Sequence, residues 1–308
     1  MTGKLLLLDS ASMYFRAFHG VPESVTAPDG TPVNAVRGFL DFIAKVVNDR
    51  RPGRLVACMD ATWRPEFRVA AIPSYKAHRL APNGREEVVP PGLVPQVPVI
   101  EDVLEAIGLT RIGVDGFEAD DVIGTLAARD PGPVEVVSGD RDLLQVVDDS
   151  RGVAVWSIIR GVAKAELWTE ATVAAKYGIP GRAYADFAAL RGDPSDGLPG
   201  VNGIGEKTAA TLVSRFGSLA GILEALDDPK ADLAPGVRMK LRAAADYVAA
   251  APGVVAVRTD VPLPAYDDTL PTAPADPERL VELADRWGLD SSVNRVLNAL
   301  SRERTESH

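Results

Sequence analysis

KLLLLD at residues 4–9 decides the fold, because it is a short apolar run that ends at a carboxylate. Similar runs without a helical period, as in buried strands, recur at residues 55–60, 134–140 and 153–159. Apolar side chains at three- and four-residue spacing predict helices at residues 35–50, 99–107 and 119–128. Strands that alternate with helices predict an α/β fold whose mostly parallel sheet is covered on both faces.

The second half of the chain has a different pattern. From about residue 166 the strand signals stop, and glycine and proline separate short helical stretches. These are predicted at residues 170–176, 182–191, 206–215, 218–226 and 236–250. The tail from residue 260 is rich in Pro and Asp and offers one amphipathic helix, at 277–287. We therefore predict an α/β domain at 1–165, an all-α domain at 166–265, and a C-terminal extension at 266–308 with one helix and a polar tail.

Composition limits the class of protein. Hydrophobic residues at 46% and charged residues at 25% are typical of a soluble globular chain. Residues 4–8 are too short for a signal peptide, and no run approaches the roughly 20 apolar residues of a membrane span. One cysteine, Cys58, excludes an internal disulfide and fits a reducing compartment. We expect a cytoplasmic protein without membrane contact.

Acidic side chains lie where the predicted strands end. Asp9, Asp60 and Asp140 each close an apolar run, and Asp142 follows two residues later. In open α/β sheets the carboxyl ends of the strands form the ligand crevice. Clustered carboxylates raise one another's pKa, a cost that bound cations relieve. Oxygen ligands without paired Cys or His predict Mg²⁺ or Mn²⁺ rather than zinc.

Three more acids, Glu118, Asp120 and Asp121, lie together at a predicted helix start. Acids are common at helix N-termini because they complement the helix dipole, so a capping role is the alternative. The presence of several acidic motifs at strand or helix ends in one chain favours a shared metal site.

The all-α region adds an acid pair and a glycine turn. Asp193 and Asp196, three residues apart, can share one face of a turn and point toward the same ion. The turn before the next helix is predicted to be the hairpin of a helix-hairpin-helix element, although a plain glycine turn is the alternative. Free N–H groups, a lysine and a hydroxyl there suit a phosphate. The predicted DNA contacts are Gly203, Ile204, Gly205, Glu206, Lys207 and Thr208.

The net charge of −10 is unusual for a protein that binds nucleic acid. Setting aside the nine acids above leaves 34 of the 43 acidic residues against 33 Lys and Arg. The excess is therefore local to one site, where bound cations would cancel much of it.

Short motifs follow one another along residues 4 to about 260. They are LD at 8–9, MD at 59–60, YKAHR at 75–79, EADDV at 118–122, SGDRDL at 138–143, GDPSD at 192–196 and LPGVNGIGEKT at 198–208. In this order they resemble the bacterial 5′-nuclease family, which comprises the 5′→3′ exonuclease domain of DNA polymerase I and its flap endonuclease relatives.

The resemblance implies a PIN-like (resolvase-like) nuclease domain followed by a helix-hairpin-helix domain, with metal between them. It assigns the catalytic pair of metal ions to Asp9, Asp60, Glu118, Asp120, Asp140 and Asp142, and completes the acidic set with Asp121, Asp193 and Asp196. It also implies K⁺ at the hairpin, held largely by main-chain carbonyls at Leu190, Arg191, Pro199, Val201 and Ile204. Two metal ions about 4 Å apart would assist an in-line displacement.

The resemblance also assigns cations and an arch. Arg16, Lys76 and Arg79 would act on the scissile phosphate, and Arg68 would contact DNA. Phe15 lies where relatives have a Tyr that stacks on the terminal base; core packing is the alternative. Residues 64–98 would form the arch through which a 5′ strand passes. Its seven prolines cannot all sit inside helices, so we predict an arch that is partly irregular or disordered without DNA.

These features predict divalent-metal-dependent hydrolysis of DNA by a 5′→3′ exonuclease and 5′-flap endonuclease in replication, including Okazaki fragment processing, and in repair. Because the sequence ends at residue 308, we expect a stand-alone monomer that works beside a DNA polymerase and joins the nucleoid when on DNA. The three histidines (His19, His78 and His308) offer no catalytic triad. A PIN-type ribonuclease and a catalytically silent DNA-structure-binding protein are the alternatives.

Overall fold

The computed structural model describes residues 3–84 and 86–302. In that part of the chain one sheet has six strands in the order β3-β2-β1-β4-β5-β6. The strands are β1 Leu5–Asp9, β2 Arg54–Cys58, β3 Arg111–Ile112, β4 Val134–Ser138, β5 Val153–Ser157 and β6 Glu166–Trp168. Neighbouring strands from β3 to β5 are parallel and β6 is antiparallel to β5, which confirms the predicted α/β class with a mostly parallel sheet.

The helices before residue 166 cover the sheet. They are α1 Ser10–Gly20, α2 Asn34–Arg50, α3 Glu66–Ala71, α4 Gln96–Ile107 and α5 Ala119–Arg129. Of these, α1 and α3 were not predicted: α1 follows β1 without any intervening turn, and α3 is only six residues long. The carboxylate of Asp9, the last residue of β1, accepts a hydrogen bond from Ser12 N (3.2 Å) and caps α1.

The second half is mainly helical, as predicted. Its helices are α6 Glu170–Tyr177, α7 Tyr184–Arg191, α8 Glu206–Phe216, α9 Leu219–Asp227, α10 Pro235–Ala243, α11 Ala245–Ala250, α12 Pro252–Val255, α13 Pro277–Trp287 and α14 Asp290–Arg302. Two expectations were wrong. The strand β6 begins at residue 166, where the strand signals were predicted to stop, because three residues are too few to show a period. The predicted helix at 236–250 is broken into α10 and α11.

The C-terminal extension contains two helices rather than the one predicted. After α13, α14 packs on α2, where Arg295 pairs with Asp41 (2.8 Å). The predicted polar tail at 303–308, with His308, lies outside the described residues. The predicted domain boundaries stay predictions.

Each face of the sheet has its own hydrophobic core. Leu5 and Leu7 of β1 face a core shared with α5 and α7–α9, whereas Leu6 and Leu8 face a core shared with α1, α2, α4, α13 and α14. Alternate residues of a strand point to opposite faces, so the all-leucine composition of β1 reflects burial on both sides. The predicted coverage of both faces is confirmed.

A buried ion pair ties β4 to α2 on the second face. The Glu135 carboxylate accepts hydrogen bonds from Arg50 Nε (2.7 Å) and Nη2 (2.6 Å) and from Lys4 Nζ (3.0 Å). Burial by itself raises the pKa of Glu135, but these hydrogen bonds outweigh it and the net shift is downward. Its negative charge is therefore part of the folded structure.

Among the described residues, no single helix is long and apolar enough to cross a bilayer; α8 and α9 meet such a length and composition criterion only as a pair bent by 80°.

Candidate metal centre

The carboxyl ends of three parallel strands bring three predicted acids together. Asp9 is the last residue of β1, as expected, but Asp60 and Asp140 lie two residues beyond the ends of β2 and β4. Those strands end at Cys58 and Ser138, the last residues that pair with a neighbouring strand. The two carboxylates are therefore on the loops that leave the sheet, not in it.

One cavity of about 380 Å³ collects the acids at this edge. It is lined by five of the nine predicted ligands: Asp9, Asp60, Glu118, Asp120 and Asp140. Glu87 lines it as well and was missed, because nothing in the spacing of the arch sequence singles this glutamate out. Asp60 Oδ1 accepts a hydrogen bond from Ala119 N (2.7 Å), which fixes the start of α5 against the end of β2.

Two carboxylates of the cavity, Asp9 and Asp120, are destabilised as anions. Burial, together with the charges of Asp60 and Asp140, raises the pKa of Asp9 to about 7, although hydrogen bonds from Ser138 and Ser12 oppose the shift. Loss of hydration raises the pKa of Asp120 well above its usual range, and the charges of Asp9, Asp140 and Glu118 add to this. A cation in the cavity would relieve both the poor hydration and the repulsion.

A second group of acids lies beside the first. Asp142 Oδ1 is buried without a hydrogen-bond partner. Burial raises the pKa of Asp142, and the charges of Asp140, Asp196 and Asp193 raise it further. The last two residues belong to a 3₁₀ turn, Pro194–Asp196 with its N-cap Asp193, in the helical half. The helical half therefore contributes negative charge to the same edge of the sheet.

Asp121 does not join this set. Its buried carboxylate accepts hydrogen bonds from both Nη atoms of Arg68 (2.7 Å each), from Arg258 N (2.9 Å) and from Glu118 N (3.2 Å). Both oxygens are engaged with protein donors, and the side chain is 0% exposed. The geometry gives Asp121 a structural role and does not support the prediction that it binds metal.

The predicted DNA contact at Arg68 is wrong. Its side chain is 2% exposed, and Nη1 also donates to Glu118 Oε2 (2.7 Å) while Nε donates to Val254 O (2.9 Å). Arg68 therefore joins α3, α5 and α12 beneath the cavity. The hydroxyl of Tyr75 donates to the same Glu118 oxygen (2.8 Å), a contact that the sequence did not reveal although Tyr75 lies in a quoted motif.

Two predicted cations line the cavity from the base of the arch. The Lys76 ammonium pairs with Glu118. Burial by itself lowers the pKa of Lys76, but the charges of Glu118, Tyr75, Asp196 and Asp60 together outweigh it, so the pKa is raised and the group stays protonated. Arg79 Nη2 donates to Ser195 O (2.7 Å) and to Asp196 Oδ1 (2.8 Å). The arch is thereby joined to the 3₁₀ turn of the helical half.

The third predicted cation, Arg16, does not line this cavity and instead lies beside Gly139, the residue before Asp140. Its Nη1 donates to Ile159 O (2.9 Å), and its Nε is buried without a partner. A Cβ at Gly139 would lie 2.7 Å from Arg16 Nη2 and 2.8 Å from Ser12 Oγ, so a larger residue next to Asp140 would displace these side-chain ends. Phe15 lines the cavity, stacks on Tyr14 and also packs on the core, so both predicted roles remain open.

The arch is partly irregular, as predicted. After α3 and a 3₁₀ turn, Ala77–Arg79, the described residues contain no further helix until α4 begins at Gln96. Pro98 lies in the first turn of α4, where no intrahelical N–H donor is required, so this helix begins earlier than predicted. Lys76 N donates to Asp196 O (2.8 Å), and Ser74 Oγ donates to Gly197 O (2.9 Å).

The predicted hairpin is present before α8. Gly203 has a positive φ (+76°), and Gly205 is the N-cap of α8, with Glu206 and Lys207 exposed at its start. The side chain of Ile204 is buried in the core, so only its main chain is available there. Lys240 Nζ donates to Gly203 O (2.8 Å), a contact from α10 that the sequence did not predict.

The predicted potassium positions surround a close backbone approach. Leu190 O accepts from Val201 N (2.9 Å), and Val201 O accepts from Ile204 N (2.8 Å). A Cβ at Gly200 would lie 2.5 Å from Arg191 O. These carbonyls, with Pro199 between them in sequence, are gathered at the end of α7 where the hairpin begins. Their potassium role stays a prediction.

The acidic side chains lie near one another but are not arranged as a preformed metal site among the described residues. Within residues 3–84 and 86–302, no three Asp, Glu, His or Cys side chains already stand as a metal-binding group. Lys76 and Arg79 account for part of this, because they pair with Glu118 and Asp196. The all-oxygen donor set and the unpartnered Asp142 Oδ1 nevertheless fit a hard divalent cation.

Comparison with known proteins gives consistent matches over nearly the whole chain. Residues 4–178 match a family profile described as 5′-3′ exonuclease, N-terminal resolvase-like domain, and residues 179–278 match 5′-3′ exonuclease, C-terminal SAM fold. A 5′-3′ exonuclease of Streptomyces coelicolor is 60% identical over 96% of this chain and 100% of its own length. DNA polymerase I of Mycobacterium bovis is 38% identical over 96% of this chain and 32% of its own length.

Solved structures show the same fold at low sequence identity. The T5 D15 protein co-crystallised with metal ions has a TM-score of 0.64 and 16% identity, covering 96% of this chain and 99% of that one. The catalytic core of Rad2 in complex with a DNA substrate has a TM-score of 0.57 and 14% identity, covering 97% and 92%. At such identities the likeness concerns the fold.

Proposed function

This chain belongs to the 5′-3′ exonuclease family and is a nuclease that hydrolyses DNA; we propose that it works with divalent metal ions, both as a 5′→3′ exonuclease and as a 5′-flap endonuclease. The observation that carries the proposal is the cavity at the carboxyl ends of β1, β2 and β4, where five predicted ligands and Glu87 meet Lys76 and Arg79. Acidic side chains that can hold metal ions, with two cationic side chains beside them, suit a metal-assisted attack on a phosphate.

We assign Mg²⁺ or Mn²⁺, two or more ions, to the acids of this edge. The first group comprises Asp9, Asp60, Glu118, Asp120 and Asp140, and the second comprises Asp142, Asp193 and Asp196. Bound there, the ions would lower the pKa of a water molecule and stabilise charge on the phosphate. Asp121 is left out, because its oxygens are taken by Arg68 and by main-chain N–H groups.

The protein's own cations would hold the phosphate in place. Lys76 stays charged because its pKa is raised, so it supplies a positive charge rather than a proton. Arg79 reaches the same cavity from the arch, and Arg16 packs on Gly139, directly before Asp140. A phosphate that entered the cavity would meet the positive charges of Lys76 and Arg79, which favour the negative charge that develops in the transition state.

The hairpin is proposed to bind the duplex. The start of α8 presents main-chain N–H groups, with Lys207 exposed beside them, and such helix N-termini accept phosphates. The neighbouring carbonyls at the end of α7 would bind K⁺, as the family resemblance implies. We further propose that the enzyme is a cytoplasmic monomer that works beside a DNA polymerase in replication, including Okazaki fragment processing, and in repair.

The test is product mapping on a 5′-labelled flap DNA, with single-stranded RNA as the competing substrate. In Mg²⁺ or Mn²⁺ we expect cleavage near the flap junction, no cleavage in chelator, and little on RNA. Asp140→Asn should abolish cleavage and retain binding to the flap. Asp285→Asn, an exposed acid on α13, is the matched control and should cut as wild type does. RNA cleaved in preference to the flap would favour the ribonuclease instead.

A further inference from the structure

A second cavity, of about 900 Å³, adjoins the metal cavity. Ser12 and Phe15 line both, so the two cavities are neighbours. The second cavity lies between α1, α2 and the loop that follows β5, residues 160–163. We refer to it as the α1–α2 cavity. Its size falls within the range of small-molecule and cofactor sites, roughly 300–1,000 Å³.

The lining of the α1–α2 cavity combines aromatic surface with positive charge. Phe15 and Phe42 are partly exposed in it, and Arg16, Lys45 and Arg160 stand around it. Single-stranded nucleic acids are bound by this combination, because bases stack on aromatic rings while cations follow the backbone. One acid, Asp41, also lines it, but its charge is compensated by Arg295 (2.8 Å).

The two surface cations are free to exchange partners. Lys45 pairs with Asp49 (2.8 Å) and its side chain is 45% exposed, while Arg160 pairs with Glu166 (3.1 Å) and is 72% exposed. Ion pairs this exposed contribute little stability, about 0–1 kcal/mol. A phosphate can therefore replace either carboxylate at small cost.

The position of the α1–α2 cavity relative to the hairpin decides which part of the DNA it could meet. Phe15 and Phe42 pack on the core of one face of the sheet, whereas Val201 and Ile204 of the hairpin belong to the core of the other face. The metal cavity lies at the sheet edge between the two faces. DNA that is held at the hairpin and crosses the metal cavity therefore arrives at the α1–α2 cavity on the far side.

Arg16 lines the α1–α2 cavity near its boundary with the metal cavity. Its Nη1 hydrogen bond to Ile159 O holds α1 against the loop that forms one wall of the α1–α2 cavity. The same guanidinium packs on Gly139, directly before Asp140 of the metal cavity. A backbone that passes Arg16 is thus led from one cavity into the other.

From this placement we propose that the α1–α2 cavity binds unpaired nucleotides that flank the scissile phosphate on the side away from the hairpin-bound duplex. Their bases stack on Phe42 and Phe15, and their phosphates lie against Lys45 and Arg160. The proposal rests on the proposed nuclease function and extends it, because it assigns the substrate a second contact region. That region discriminates between substrates with and without unpaired nucleotides at this place.

The first test couples single bases to Phe42. Flap substrates carry one abasic site at successive positions on the flanking side, and kcat/KM is measured for wild type and Phe42→Ala. In wild type, loss of the stacked base should lower kcat/KM about tenfold at one or two positions. The same abasic site should cost Phe42→Ala little, because its stacking partner is already gone. Equal costs in both proteins at every position would overturn the proposal.

The second test uses variants that leave the core intact. Arg160→Gln and Lys45→Gln should each reduce the slope of log Kd against log salt by about 0.7, as expected for one single-strand phosphate contact. Arg279→Gln is the matched control, since Arg279 is 45% exposed, is paired with Asp102 (2.6 Å) and lines neither cavity. Unchanged slopes in both cavity variants would contradict the proposal. Cleavage by wild type on its own tests the nuclease function, so the two failures are distinguishable.

Discussion

Asp120 and Asp121 are adjacent at the start of α5, and their replacement by asparagine is expected to change stability in opposite directions. Asp121 is fully buried and is held by Arg68 and by two main-chain N–H groups. Asp120 lines the metal cavity, where burial and the neighbouring carboxylates raise its pKa. One carboxylate is thus stabilised by its surroundings and the other is destabilised.

The expected magnitudes follow from those contacts. Asp121→Asn leaves the Arg68 guanidinium buried with Glu118 as its remaining carboxylate partner. Breaking a buried ion pair costs about 3–5 kcal/mol, and since Glu118 and one amide oxygen remain, we expect a loss near 3 kcal/mol. Asp120→Asn removes a repelled charge, so the free energy of unfolding without metal should stay constant or rise by about 1 kcal/mol.

In metal-dependent function the order of the two variants should be reversed, with Asp120→Asn the more impaired. Asp120→Asn is expected to lower metal-dependent cleavage by at least about a hundredfold, because a proposed ligand is lost. Asp121→Asn, measured at a temperature where it is folded, should retain most of its affinity for metal. The reason is that its carboxylate contacts Arg68 and main-chain N–H groups rather than the cavity.

The assay is urea-induced unfolding in chelator, followed by circular dichroism, together with cleavage of a 5′-labelled flap in Mg²⁺. Asp285→Asn on the exposed side of α13 is the control for loss of one negative charge. Equal destabilisation of the Asp120 and Asp121 variants would refute the reasoning. So would a stable Asp121→Asn protein that has lost its affinity for metal, since that result would make Asp121 a ligand.

Three further changes test separate parts of the structure. Lys76→Met should lower kcat about 10²–10³-fold with a smaller effect on DNA binding, measured by single-turnover cleavage, because a fixed positive charge is lost beside the phosphate; an unchanged kcat would exclude that role. Glu135→Gln should lower stability by about 1.5–3 kcal/mol at pH 7. Because the folded-state pKa of Glu135 is lowered, its contribution is present above the unfolded pKa and lost as pH falls through the folded value, so urea unfolding should show the two proteins converging in acid; a pH-independent difference would contradict this. Gly197→Ala should cost about 1–3 kcal/mol in thermal unfolding, because φ is +70° and the new Cβ would lie 2.2 Å from Ser74 O, whereas Gly236→Ala in open space in α10 should be neutral or stabilising.

Much of the fold could be predicted from the sequence because its signals are local. The leucines of β1 and the carboxylate that follows them indicate a buried strand with a ligand at its end, and the structure has both. By contrast, α1 has no turn before it, and α14 follows α13 so closely that the tail suggested one helix only. Short elements such as β6 lack enough residues to show a period.

The acidic residues of the candidate site could be predicted from the sequence, but the residues that pair with them could not. Spacing along the chain places Asp120 and Asp121 at one helix start and gives no reason to separate them. The separation comes from Arg68, which lies in α3 and reaches Asp121 across the fold. The same holds for Lys76, whose pairing with Glu118 depends on how the arch folds back. Ion pairs between residues so far apart in the sequence depend on the tertiary structure.

The central claim is that the carboxylates at the carboxyl ends of β1, β2 and β4 bind the metal ions that cut DNA. Calorimetric titration of Mn²⁺ into wild type and Asp140→Asn, without DNA, tests it most directly. Wild type should bind Mn²⁺ saturably, and the variant should bind it at least about tenfold more weakly or take up fewer ions. Equal affinity and stoichiometry in the two proteins would contradict the claim.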